Sequence, residues 1–173
     1  MLKKIFTPKN NRAIVCAVYV ILILITMLFI FRNSFASMEE SAAQSDKIIQ
    51  IVRPIIDPNK TMNDQQVEHI VRKSAHFVEF GTLGFEFALL AFHISRAVKL
   101  RDGIYVAAAS LLTANLDELL QIYSQRGSMV SDVFIDFGGA LIGIIAGFTV
   151  SYLVRATYRA AKVKKASREL AVT

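Results

Sequence analysis

The sequence predicts an all-α integral membrane protein: a bundle of four transmembrane helices with an outer segment of short helices between the first two. Three observations carry that reading. Hydrophobic residues make up 54% of the 173 residues and the mean hydropathy is +0.44, more apolar than a soluble domain of this length. The excess is gathered into long runs, and the first (AIVCAVYVILILITMLFIF) alone could cross ~30 Å of hydrocarbon at about 1.5 Å per residue. The basic residues behind the net charge of +6 flank these runs, which fits membrane lipid as a partner and excludes nucleic acid. The single cysteine, Cys16, excludes an intramolecular disulfide and reads as lipid-facing or packed filler, and no Cys/His metal-ligand spacing occurs.

A basic tail, residues 1–12, precedes the first span at 13–31. A secretory signal is the competing reading, because Ser34-Phe35-Ala36 looks like a small-residue cleavage site. The run is longer than a signal's apolar core, which favours an uncleaved anchor. Residues 32–74 form the outer segment. Within it, 41–52 places Ile48, Ile49 and Val52 on one side of a short helix that stops at Arg53-Pro54. Asp57-Pro58-Asn59 is a turn signal. Thr61-Met62-Asn63-Asp64 starts another helix, with Asn63 as N-cap, that runs into the second span at 75–94. These pieces are either an amphipathic cap on the outer surface or a mobile loop. The remaining spans are 104–123 and 130–154, so that one membrane domain covers 13–154. The basic tail, 155–173, continues as a helix on anionic lipid or frays.

Orientation follows from the basic residues. Lys3, Lys4, Lys9 and Arg12 precede span one. Arg96, Lys99 and Arg101 lie between spans two and three, and Arg155, Arg159, Lys162, Lys164, Lys165 and Arg168 follow span four. These alternate onto one side and hold thirteen of the twenty basic residues, which makes both termini cytoplasmic.

The acidic residues are the unusual feature. A carboxylate at membrane depth is costly unless paired, protonated or hydrated, and is a functional candidate on that ground. With this topology His76 and Glu79 of span two, Asp117, Glu118 and Gln121 of span three, Arg126 in the turn, and Asp132 and Asp136 of span four all fall within about 10 Å of the outer boundary. Lys73, His76, Glu79 and Phe80 share a helical stripe; Asp117 with Gln121 and Asp132 with Asp136 are one turn apart. The Arg126 fork suits two carboxylates or an anionic substrate group. An outward-facing polar pocket between spans two, three and four follows. Gly139, Gly143 and Gly147 repeat small-xxx-small in span four, and span three carries Ala107, Ala108, Ala109, Ser110, Thr113 and Ala114, so these two helices are expected to pack closely.

The run Asp117-Glu118-x-x-Gln121-x-x-x-x-Arg126-Gly127, followed by Asp132-Val133-x-Ile135-Asp136-x-x-Gly139-x-x-x-Gly143, resembles the signature of the VanZ-like membrane protein family. Lys73-x-x-His76-Phe77-x-Glu79-Phe80 resembles its Lys-x-x-His-Phe element. Ile30-Phe31-Arg32-Asn33-Ser34 resembles its Phe-x-x-Ser junction, without the glutamine that often follows. Ile122-Tyr123-Ser124-Gln125 stands where the family often has Pro-Gly. The likeness covers residues 13–154. It implies a fold and a place of action, the bacterial cell membrane and envelope, for a family named after a protein that raises resistance to the glycopeptide teicoplanin. It implies no reaction.

Three functional readings follow. In the first the pocket is an enzyme site for a lipid-linked or cell-wall intermediate, or a lipid headgroup. His76, Glu79, Asp117, Glu118 and Asp136 would do the catalytic work, with His76 or Glu79 as base. Lys73, Gln121, Arg126 and Asp132 would hold the substrate. The sequence leaves open whether a divalent cation is present; clustered carboxylates suit Mg²⁺ or Ca²⁺ better than zinc. In the second reading the same pocket binds a ligand or a partner membrane protein without turnover. In the third the acids only lock the bundle, although six of them (Glu79, Glu86, Asp117, Glu118, Asp132, Asp136) outnumber the bases Lys73, His76 and Arg126. A transporter would use Glu86, which extends the Glu79 stripe, but no inverted repeat is visible. His93 reads as interfacial and His69 as solvated.

Overall fold

A computed structural model of the chain describes residues 8–36, 38–59, 61–124 and 130–170. They form five helices, α1 (Pro8–Phe35), α2 (Met38–Ile56), α3 (Asp64–Ser95), α4 (Leu100–Tyr123) and α5 (Val130–Leu170), with no strand among the described residues. The all-α class is the expected one. α3 joins the helix started at Asn63 to the expected second span without a break, and α5 carries the basic tail on as helix to Leu170.

The outer segment is ordered by its corner. Asn63 accepts from Gln66 N at 2.9 Å while the Gln66 side chain accepts from Asn63 N at 3.0 Å, a reciprocal cap on α3. α2 does not stop at Arg53-Pro54 as expected but runs to Ile56. Pro54 removes only one main-chain bond in the last turn, and Arg53 secures that turn by pairing with Asp64 and donating to Met62 O at 3.0 Å. Under the corner the buried Asp57 carboxylate accepts from Thr61 N at 2.8 Å, Thr61 Oγ1 at 2.9 Å and Met62 N at 3.0 Å. The Met62 N–H, helped by Thr61, holds that carboxyl below its usual range. α2 packs against α3 and leaves Ile48, Ile51 and Ile55 exposed.

The centre of the bundle is the contact between α3 and α5. A Cβ placed on Gly139 would overlap Phe77 O, one on Gly143 would overlap Gly81 O, and one on Gly147 would lie 2.8 Å from Ala88 Cβ. The two backbones therefore touch, and their contacts advance together along both chains, so α3 and α5 run parallel. α1 runs the other way: Asn33 meets Glu79, Thr26 meets Glu86, Tyr19 meets His93, and Arg12 caps the carbonyl of Ile94. α4 returns alongside α1, with Ser34 against Asp117 and Ser124 Oγ donating to Ser34 O at 2.9 Å. Ile23 and Ile30 of α1, Phe80 and Leu83 of α3, Ala114 of α4 and Ala140 of α5 close the core.

By length and composition three helices could cross a membrane, α1, α3 and α5, and not the four expected. α4 falls short because Arg101, Asp102, Asp117 and Glu118 lie within its 24 residues. Its amphipathicity is inverted. Asp102, Ser110, Thr113, Asp117, Glu118 and Gln121 are on the buried stripe, while Ile104, Leu112, Leu116, Leu119 and Ile122 are exposed. Averaging the two faces dilutes the apolar signal.

Two outcomes are expected. Gly143→Ala pushes α3 from α5 and should cost about 1–3 kcal/mol in reversible unfolding from detergent or lipid, whereas Gly103→Ala, whose Cβ meets nothing within 4 Å, should gain about 0.5–1 kcal/mol. At the corner, a lowered carboxyl pKa gives stability that is present above the ordinary value of 3.8 and lost as the pH falls below it. Amide exchange at Thr61 and Met62 should therefore accelerate on acidification below about pH 4 beyond the intrinsic trend, and the extra acceleration should be absent in Asp57→Asn.

Candidate functional site

Four helices meet at the end of the bundle where α3 begins and α4 ends. Ser34, in the last turn of α1, is fully buried and its hydroxyl donates to Asp117 Oδ1. Gln121, one turn along α4, donates Nε2 to Asp117 Oδ2 at 2.9 Å and to Glu118 Oε1 at 3.3 Å. Asp117 and Glu118 are thus oriented by their own helix and by α1. From α3, His76 Nδ1 lies 3.8 Å from Asp117 Oδ2 and 4.0 Å from Asp136 Oδ1 of α5. Lys73, one turn earlier, meets Asp132 Oδ1 at 2.8 Å.

The Gly139–Phe77 contact explains this register. It lies one residue beyond His76 on α3 and three beyond Asp136 on α5, so both side chains leave backbones that are in contact. Asp136 is 1% exposed, and its Oδ2 makes no hydrogen bond among the described residues. Above the cluster is a cleft with about 270 Å³ of empty space, lined by Arg72, Lys73, His76, Gln121, Asp132 and Asp136 among others. It has room for about one water-sized particle. A larger groove, with about 1630 Å³ of empty space, lies at the opposite end; Arg12, Tyr19, Phe92, Arg96 and Arg155 are in its walls and no acid lines it among the described residues.

Of the residues singled out in the sequence, Lys73, His76, Asp117, Glu118, Gln121, Asp132 and Asp136 come together here. Glu79 lies one turn deeper and accepts from Asn33 Nδ2 at 3.0 Å. Glu86 is deeper again and accepts from Thr26 Oγ1 at 3.1 Å. Arg126 lies outside the described residues. Three contributors were not assigned to the site from sequence: Asn33 and Ser34, which bring in α1 as a fourth wall where three helices were expected, and Arg72 at the cleft. Asn33 and Ser34 sit in the Phe-x-x-Ser junction, the signal that could have included them. His93 is packed edge-on against Tyr19, and His69 is exposed.

An imidazole beside two carboxylates is placed to pass a proton to or from a bound group. His76, Asp117 and Asp136 each also offer one ligand atom, all within 4.8 Å of one another, so the same trio can hold a cation.

A family model described as VanZ/LLP1 matches residues 17–152, most of the chain. No curated protein and no solved structure matches it.

Removing the Ser34 hydroxyl leaves buried Asp117 short of a donor. Ser34→Ala should cost about 1–3 kcal/mol of stability. In a double-mutant cycle with Asp117→Asn, measured by unfolding in lipid, the two changes should couple by about 0.5–3 kcal/mol rather than add.

Proposed function

The chain belongs to the VanZ/LLP1 family, and from that premise we propose that it works in the bacterial cell membrane, where its polar cleft faces outward and acts on an anionic cell-envelope substrate. The observation that carries the proposal is His76 held between the buried carboxylates of Asp117 and Asp136, with Lys73 and Arg72 at the mouth. The substrate class is a lipid-linked wall intermediate or a lipid headgroup. Its anionic group meets Lys73 and Arg72. His76, with Asp117 and Asp136 beside its Nδ1, then serves as general base. Glu118, Gln121 and Asp132 complete the wall in this reading.

Orientation is part of the proposal. Arg12, Arg96, Lys99, Arg101 and Arg155 gather at the end of the bundle opposite the cleft, which supports a cytoplasmic position for that end and for both termini. α4 then makes the return crossing, polar face to the bundle and apolar face to lipid, and α2 rests Ile48, Ile51 and Ile55 in the headgroup layer. A second reading, ligand or partner binding without turnover, is favoured by the narrowness of the cleft and by the mutual pairing of Lys73 with Asp132 and Gln121 with Asp117.

The test is made in the host. His76→Gln and Asp136→Asn should each abolish the chain's effect on susceptibility to teicoplanin or another envelope antibiotic at unchanged membrane abundance, with any measured turnover falling by about 10²-fold or more. Full activity of both variants would sink the site assignment. Stoichiometric capture of a lipid-linked precursor by the purified protein, with no product formed, would select the binding reading.

A further inference from the structure

We propose that His76, Asp117 and Asp136 bind one divalent transition-metal ion, of the zinc or manganese kind, at the floor of the cleft. This deepens the reading of the cleft as the working site, with an ion-bound water in place of His76 as the base when the metal is present, and rests on that reading for function but not for binding. The trio draws on three helices, α3, α4 and α5, and its ligand atoms lie within 4.8 Å of one another. Metal–nitrogen and metal–oxygen bonds of about 2.0–2.2 Å put neighbouring ligands roughly 3–3.6 Å apart. The observed 3.8 Å and 4.0 Å from His76 Nδ1 to the two carboxylates need only small side-chain movements to close.

A second observation points to the ion independently. Asp136 is 1% exposed, its Oδ2 makes no hydrogen bond among the described residues, and its Oδ1 faces His76 at 4.0 Å. A carboxylate buried without donors is expensive, and a coordinated cation removes that cost. Asp117 also has the outer contacts of a metal ligand: Ser34 and Gln121 each donate to one of its oxygens and fix its orientation.

The imidazole decides the class of ion. Magnesium and calcium take all-oxygen shells, whereas an imidazole with two carboxylates suits zinc, manganese or iron. This departs from the Mg²⁺ or Ca²⁺ suggested by the acids alone. Three protein ligands and one water-sized space leave the open position that a working metal site keeps.

The full chain is purified in lipid nanodiscs, stripped with chelator, and titrated with zinc, manganese, magnesium or calcium chloride. Bound metal is read by elemental analysis and calorimetry. The expected result is one zinc or manganese per chain, a melting temperature that rises with the ion, and at least tenfold weaker binding in His76→Gln and Asp136→Asn. Glu86→Gln, about three turns deeper along α3, should keep the affinity of the parent. Absence of stoichiometric zinc or manganese in the parent protein overturns the proposal. So does undiminished binding in Asp136→Asn, or magnesium or calcium binding as tightly as zinc. If the trio variants lose the metal and antibiotic susceptibility does not change, the metal site stands and the functional reading of the cleft falls.

Discussion

The structure depends on the backbone contact between α3 and α5. Where Gly139 meets Phe77 and Gly143 meets Gly81 there is no side chain to adjust, so the register of the two helices is set by main-chain atoms. That register is what brings His76 beside Asp136 at 4.0 Å. α1 and α4 then pack around the joined pair and add Ser34 and Asp117. A polar cluster in a low-dielectric setting works only if its members keep their places, and here two of them stand within three residues of a backbone-to-backbone contact.

α4 shows what such a cluster demands of its neighbours. Its buried stripe is the polar one, and its exposed stripe is leucine and isoleucine. In water that arrangement would turn inside out. Here the acids are hidden against the other helices and the apolar face is left outside. Asp117 can stay buried because Ser34 and Gln121 supply donors from two different helices.

Much of this was legible in the sequence. The apolar runs located α1, α3 and α5, the Asn63 cap located the start of α3, and the one-turn spacing of Asp117 with Gln121 put them on one face, where they are found hydrogen-bonded. What was not legible has physical causes. α4 does not qualify as the fourth span that was expected, because its polar face offsets its apolar one. α2 ran past Pro54 because a tertiary contact, Arg53 with Asp64, holds its last turn. Ser34 and Asp117 are 83 residues apart, and no local pattern reports a contact at that separation. The nitrogen in the candidate ligand set went unread for the same reason: His76 reaches the acids only after three helices have packed.

The Phe77–Gly139 contact acts as a fulcrum for α3. From Asp64 to His76 the helix extends about 18 Å, and any load on α2 enters this arm through Arg53 and the Asp57 corner. A stiff beam moves least beside its pivot, and His76 is the next residue to it. Lys73, one turn farther out, sweeps a wider arc. The cleft is therefore built like a vice with one fixed jaw: its floor lies beside the pivot and its lip, at Lys73, lies out along the arm.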